Sequence, residues 1–202
     1  MREIAVILFP GFELLDVYGP LEMFGVNPAD FKITLVAEQS GLVESYQGPK
    51  SQAEAAFEDR SQYDILLVPG GRGTRKEVEN QALLDWLKTA SSQAELTTSV
   101  CTGAALLARA GLLDGRKATT NKISFEWASS QSDKVDWIPQ ARWVEDGPFW
   151  TSAGVSAGMD MSLAIIAKLL SSEKAEQTAI YTEYDWHKDP AWDPFSEIHG
   201  LV

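Results

Sequence analysis

The stretch Asp64-Ile65-Leu66-Leu67-Val68-Pro69-Gly70-Gly71-Arg72-Gly73-Thr74 runs from an unbroken apolar segment straight into a glycine-rich turn. Four apolar residues in a row, with no polar residue alternating between them, describe a strand covered on both faces, as in a parallel sheet flanked by helices. The same reading holds for Glu3-Ile4-Ala5-Val6-Ile7-Leu8-Phe9, which stops at Pro10-Gly11. Lys32–Ala37 and Leu96–Val100 are further strand candidates, with Lys117–Thr120 and Phe149–Ser152 weaker ones. Helical spacing of apolar residues appears over Leu14–Phe24, Glu77–Ala90, Gly103–Ala110 and Ser162–Leu170. This alternation predicts an α/β three-layer sandwich: a mainly parallel central sheet with right-handed crossovers and helices on both faces, flavodoxin-like in type.

At 202 residues and 45% hydrophobic content, the chain supports one sizeable core and is short for two, so a single domain over 1–202 is expected. No repeat, low-complexity tract or Gly/Ser linker marks a boundary. The first apolar run is shorter than the hydrophobic region of a signal peptide, and no later run has the length to span a bilayer. A soluble, cytoplasmic protein is the expectation. A single cysteine allows no intrachain disulfide and no Cys-rich metal cluster, which fits a reducing compartment. The formal charge of −12 argues against nucleic acid and anionic membranes as partners.

In an open α/β sheet, ligands bind outside the carboxyl ends of the strands, so the residues just after each strand are the ones to weigh. After the first strand, Asp16 lies in an otherwise apolar helical stretch with Leu14, Leu15 and Val17. By itself it reads as an ordinary carboxylate near a helix start. After the third, Gly70 and Gly71 are compatible with a plain turn, and equally with a backbone that presents N–H groups to developing negative charge. After the fourth comes Cys101, in Ser99-Val100-Cys101-Thr102-Gly103-Ala104-Ala105. A free cysteine is more often an inert buried hydrophobe. A sharp strand-to-helix turn would instead expose its sulfur at a helix N-terminus, with small residues letting the helix lie close to the sheet. The convergence of an acid, a glycine turn and a thiol on one edge of the sheet favours a reactive site.

Taken together, Phe9-Pro10-Gly11-Phe12 with Asp16 and Gly19-Pro20, Pro69-Gly70-Gly71, Val100-Cys101-Thr102-Gly103, Leu112 to Thr120 and Thr151 to Gly158 resemble the ThiJ/PfpI superfamily. The resemblance runs from about residue 3 to about residue 170 and implies the class I glutamine-amidotransferase-like fold. Within the superfamily, the Asp in the first loop and the Cys-Thr pair look most like the isocyanide hydratase branch and the amidase-like domains of some transcription regulators. The resemblance implies that Cys101 is the elbow nucleophile, Asp16 the carboxyl beside it, Thr102 a catalytic neighbour, and Gly70, Gly71 and Gly103 the substrate- or oxyanion-binding residues. It also implies a homodimer.

The chain departs from protease-like and amidotransferase-like relatives in having Thr at 102 and Asn at 121, where those relatives carry His. Its two histidines, His187 and His199, lie near the end of the sequence, so a Cys-His dyad is poorly supported. Gly154-Val155-Ser156-Ala157-Gly158 matches the G-x-S-x-G elbow of α/β-hydrolases, with Asp160, Asp185 and His187 as nominal partners. Too little chain follows for that fold, and a turn into a helix with Ser156 at its start fits better. His187 with Asp185 and Asp189 makes a poor metal set; the aromatic residues of this tail are expected to pack on the body or on a partner subunit.

The resulting expectation is a lyase hydrating a small electrophile, an isocyanide to an N-formamide, through a covalent thioimidate on Cys101 and without metal or organic cofactor. Two alternatives share the site: a glyoxalase- or deglycase-like enzyme acting on 2-oxoaldehydes, and a non-catalytic ligand- or redox-sensing module using the same cysteine.

Overall fold

The computed structural model describes all of residues 1–202. Its elements in chain order are β1 (Arg2–Ile7), α1 (Leu14–Gly25), β2 (Phe31–Ala37), β3 (Gly41–Glu44), β4 (Lys50–Ala53), β5 (Ala55–Ala56), β6 (Ile65–Val68), α2 (Thr74–Glu77), α3 (Gln81–Ser91) and β7 (Leu96–Val100). They continue with α4 (Gly103–Arg109), β8 (Lys117–Ala118), α5 (Phe125–Ser129), β9 (Asp136–Trp137), β10 (Trp143–Asp146), β11 (Phe149–Ser152), α6 (Ala157–Leu169), α7 (Ser172–Tyr181) and α8 (Pro194–Ile198).

Seven strands form the central sheet in the order β10-β11-β7-β6-β1-β2-β5, parallel throughout except for the antiparallel edge strand β10. Helices α1, α6 and α7 pack on one another, and α2, α3 and α5 pack around α4. These two groups are the outer layers of the α/β sandwich. The unbroken apolar runs take the middle of the sheet: Ile4 to Ile7 and Ile65 to Val68 are essentially without solvent exposure. No helix is long and apolar enough to cross a membrane.

From β1 the chain builds outward through β2 to β5, then returns to the other side of β1 and builds through β6 and β7 to β11. The order therefore reverses between β1 and β6, and a cleft is expected outside their carboxyl ends. The loops leaving those two strands bind each other there: the Glu13 N–H donates to Gly70 O at 2.9 Å and the Gly73 N–H to Gly11 O at 3.0 Å.

Three of the expected elements differ in extent. The helix expected over Glu77–Ala90 begins only at Gln81, because Asn80 leaves helical geometry (φ −79°, ψ 95°) and its side chain accepts from the Leu83 N–H as the cap of α3; Glu77 instead ends the preceding α2. The helix expected to begin at Ser162 begins at Ala157. Gly158 falls inside it, where a Cβ would lie 2.8 Å from the methyls of Val100, so this glycine is a packing residue and not a breaker. Lys117–Thr120 contributes only the two-residue β8, which pairs with β9 outside the central sheet.

Candidate active site

Cys101 follows the last residue of β7 and holds φ at +56°, one of only two non-glycine residues with positive φ. That conformation costs a side-chain-bearing residue about 1–2 kcal/mol, so the surroundings must impose it. They do so through both ends of its peptide unit. The Cys101 N–H lies 3.2 Å from Ser152 O and 3.3 Å from Ala153 O at the end of β11, and Cys101 O accepts from Thr120 Oγ1 at 2.8 Å. Glycine completes the elbow: a Cβ on Gly103 would meet Val68 O at 2.1 Å, and one on Gly154 would lie 3.1 Å from the Cys101 sulfur. The small residues after the thiol thus let α4 rest directly on β6, as the sequence suggested.

Asp16, fully buried in the first turn of α1, lies behind the sulfur. Its Oδ2 accepts from the Gly70 N–H at 2.8 Å, while Oδ1 is buried with no hydrogen-bonding nitrogen or oxygen near it. The Cys101 thiol sits against this carboxyl closely enough for each to act on the other's ionisation. Burial pushes the Asp16 carboxyl well above its ordinary range; the Gly70 N–H and the thiol offset only part of this. Burial likewise pushes the Cys101 thiol well up, and the Asp16 charge adds to the rise, whereas the backbone and side chain of Thr102 oppose it. Burial thus makes each of the two groups hold its proton more tightly than it would in water.

The glycine pair has its amides committed inside the protein. Gly70 donates to Asp16, and the Gly71 N–H donates to Thr102 Oγ1 at 3.1 Å. The N–H groups of both glycines, expected to face an oxyanion, here donate within the protein, and Gly71 lines the cleft. Their part is to let two backbones meet: a Cβ on Gly70 would fall 2.5 Å from Thr102 N. Gly103, also expected to bind substrate, is buried between α4 and β6 and does not line the cleft. The Thr102 side chain is buried in a knot with Gly71 and Thr74, which lies 3.1 Å away. Its backbone N–H is the amide that faces the sulfur.

The sulfur opens into a cleft of about 660 Å³, lined among others by Glu13, Arg72, Arg75, Asn121 and Ser124. Sequence reasoning passed over the two arginines, although Arg72 stands in the Pro69–Thr74 turn that it singled out and Arg75 follows directly. It did single out Asn121 as standing where relatives carry His. Asn121 is indeed at the cleft, with its Oδ1 accepting from the Ser124 N–H.

The G-x-S-x-G match is not a nucleophile elbow. Ser156 precedes α6 without capping it, and its hydroxyl is 3.4 Å from Arg142 Nη2. Asp160 accepts from Arg142, Tyr184 Oη and the His187 backbone N–H, and from no imidazole. These bonds fix the C-terminal tail to the body, where Tyr184 and Trp186 pack on the core and His187 faces Trp192 at 4.3 Å.

A model described as "DJ-1/PfpI family" matches residues 2–168. The isonitrile hydratase of Pseudomonas putida is 34% identical over 184 residues, covering 90% of this chain and 78% of that protein. The transcriptional regulator CdhR of Pseudomonas aeruginosa is 29% identical, over 86% of this chain and 52% of the regulator. Among solved structures, a ThiJ/PfpI family protein from Pseudomonas syringae superposes with a TM-score of 0.81 at 32% identity, covering 91% of this chain and 75% of that one.

Proposed function

The chain belongs to the DJ-1/PfpI family, and within it we propose a cysteine-dependent lyase that hydrates an isocyanide to an N-formamide. The observation that carries this reading is the buried Asp16 carboxyl, one oxygen of which has no partner, set against a strained elbow cysteine with no histidine in the cleft. Hydrolysis of peptides or glutamine uses a cysteine with an imidazole that carries the proton. Hydration of an isocyanide needs a soft nucleophile for the electron-poor terminal carbon and one group that moves protons in both directions, and this pair supplies those two functions.

In the proposed sequence, the sulfur adds to the terminal carbon while the Asp16 carboxyl gives its proton to that carbon and is reprotonated by the thiol. A C–S bond and a C–H bond form and S–H breaks, giving a neutral thioimidate. Oδ1 then assists a water that adds to the imidate carbon, with one water proton ending on nitrogen. Collapse breaks C–S, returns a proton to sulfur and releases the formamide. The carboxyl's raised proton affinity suits both steps, since a group poised nearer neutrality can take and return a proton.

The sensing alternative requires a thiolate that oxidises readily. The lyase reading is tested by exposing the protein to an aromatic isocyanide in single turnover, quenching with acid and weighing the intact chain. An adduct of the whole isocyanide mass on Cys101, absent from Cys101→Ala, supports the covalent route. Formamide made without any adduct, at the same rate by both proteins, rejects it.

A further inference from the structure

We propose that Arg72 and Arg75 form an anion subsite in the Cys101 cleft, so that the electrophile turned over there carries a carboxylate. The inference deepens the isocyanide reading and rests on it for the identity of the reacting end. Its own evidence is the state of the two arginines. The chain has 29 acidic and 17 basic residues, and eleven of its cations sit in ion pairs. Arg72 and Arg75 share a cleft with the nucleophile and pair with no carboxylate.

Both are nevertheless held in place. The Arg75 guanidinium lies 3.8 Å from the centre of the Trp127 ring, donates from Nη2 to Ser124 Oγ at 2.9 Å and has Nη1 3.3 Å from Thr74 Oγ1. Arg72 lies over the Tyr46 ring at 5.1 Å. Aromatic faces and hydroxyls orient a guanidinium without neutralising it and leave most of its five N–H donors uncommitted. Partial burial and the neighbouring Arg72 charge both weigh against the Arg75 charge, and a negative charge at Cys101 favours it. Two like charges are thus kept together, at a cost, beside the reacting sulfur. Glu13, the one acid lining the cleft, is held by the Gln47 amide and does not neutralise either arginine. The cleft therefore carries a local positive charge on a protein of net charge −12. A carboxylate matches the planar fork of a guanidinium, and Ile123 and Val155 offer an apolar wall for the short carbon chain between carboxylate and electrophile.

Because Cys101 is the only thiol, its alkylation reads the cleft directly. The rate ratio of iodoacetate to iodoacetamide is measured for the native protein and for the urea-unfolded chain. The expected native ratio exceeds the unfolded one by on the order of tenfold, shrinks as salt rises from ~0.05 to ~0.5 M, and falls toward the unfolded value in Arg75→Gln and, separately, in Arg72→Gln. A native ratio no higher than the unfolded one, or one that both variants leave unchanged, overturns the proposal. Alongside, isocyanoacetate and its methyl ester are compared as substrates. A kcat/KM preference for the acid that Arg75→Gln reduces supports the subsite; a preference for the ester in the unmodified protein overturns it. If neither isocyanide is hydrated while the alkylation ratio behaves as expected, the isocyanide reading fails and the anion subsite stands.

Discussion

The Gly70 N–H donates to Asp16 Oδ2 at 2.8 Å, while Asp16 Oδ1 is buried without a hydrogen-bond partner. One hydrogen bond from the turn after β6 thus assigns different work to the two oxygens of a carboxyl carried by α1. Holding this acid in a dry site lowers stability, and that cost is measurable.

Asp16 has a proton affinity raised in the folded state, so the folded chain keeps a proton that the unfolded chain releases above about pH 4. Its contribution to stability is present in full below that pH and is lost as pH rises toward the folded-state value. Asp16→Asn should therefore melt higher than the unmodified protein at neutral pH, by on the order of 1–3 kcal/mol, with the margin widening as pH increases from 5 to 8. Thermal denaturation across that range checks it; a variant that is less stable at every pH contradicts it.

Thr102→Val should remove the acceptor of the Gly71 N–H in a fully buried position and cost about 1–3 kcal/mol. Thr102→Ser keeps the hydroxyl and should lose little. Urea denaturation of the two variants separates a hydrogen-bonding role for Thr102 from simple packing.

Gly154→Ala places a methyl 2.2 Å from Asn121 Nδ2 and 3.1 Å from the Cys101 sulfur. Asn121 must move, and displacement of groups around the sulfur should lower kcat/KM by up to about 100-fold. The iodoacetamide reactivity of Cys101 should change in the same variant, because the crowding is at the sulfur itself.

Asp193 caps α8 through the Phe195 N–H and forms a buried ion pair with Lys122 at 3.7 Å. Burial pulls Lys122 down to about 8, so it costs stability while charged, and this cost is relieved as pH rises through 8 toward its ordinary value of 10.5. Asp193→Ala should leave an uncompensated buried charge, cost about 3–5 kcal/mol, and loosen the Asp185–Ala191 segment enough for limited proteolysis to cut there first. The loss should lessen at pH 9, where Lys122 is mostly neutral.

What the sequence disclosed, and what it hid, follows from how local each signal is. The central strands were legible because burial on both faces leaves unbroken apolar runs, as in Ile65–Val68. Cys101 and Asp16 were legible because they follow such strands. The later start of α3 was carried by Asn80, a capping residue inside an apolar period that reads through it. The start of α6 was masked by Gly158, whose packing against Val100 is a long-range fact. The glycine turn was legible in place, but that the Gly70 and Gly71 amides donate to Asp16 and Thr102 depends on three strands converging, which no local pattern encodes. Arg72 and Arg75 look like ordinary surface cations until the fold places them beside the thiol.

The most direct test of the central claim is hydration of an aromatic isocyanide, followed as formamide appearance, by the unmodified protein, Cys101→Ala and Asp16→Asn. The account predicts one formamide per isocyanide consumed by the unmodified protein, none above background from Cys101→Ala, and a loss of about 10²–10⁴-fold in Asp16→Asn, with all three proteins folded. Unimpaired turnover by Cys101→Ala, or no turnover by an unmodified protein whose thiol still alkylates, would contradict it.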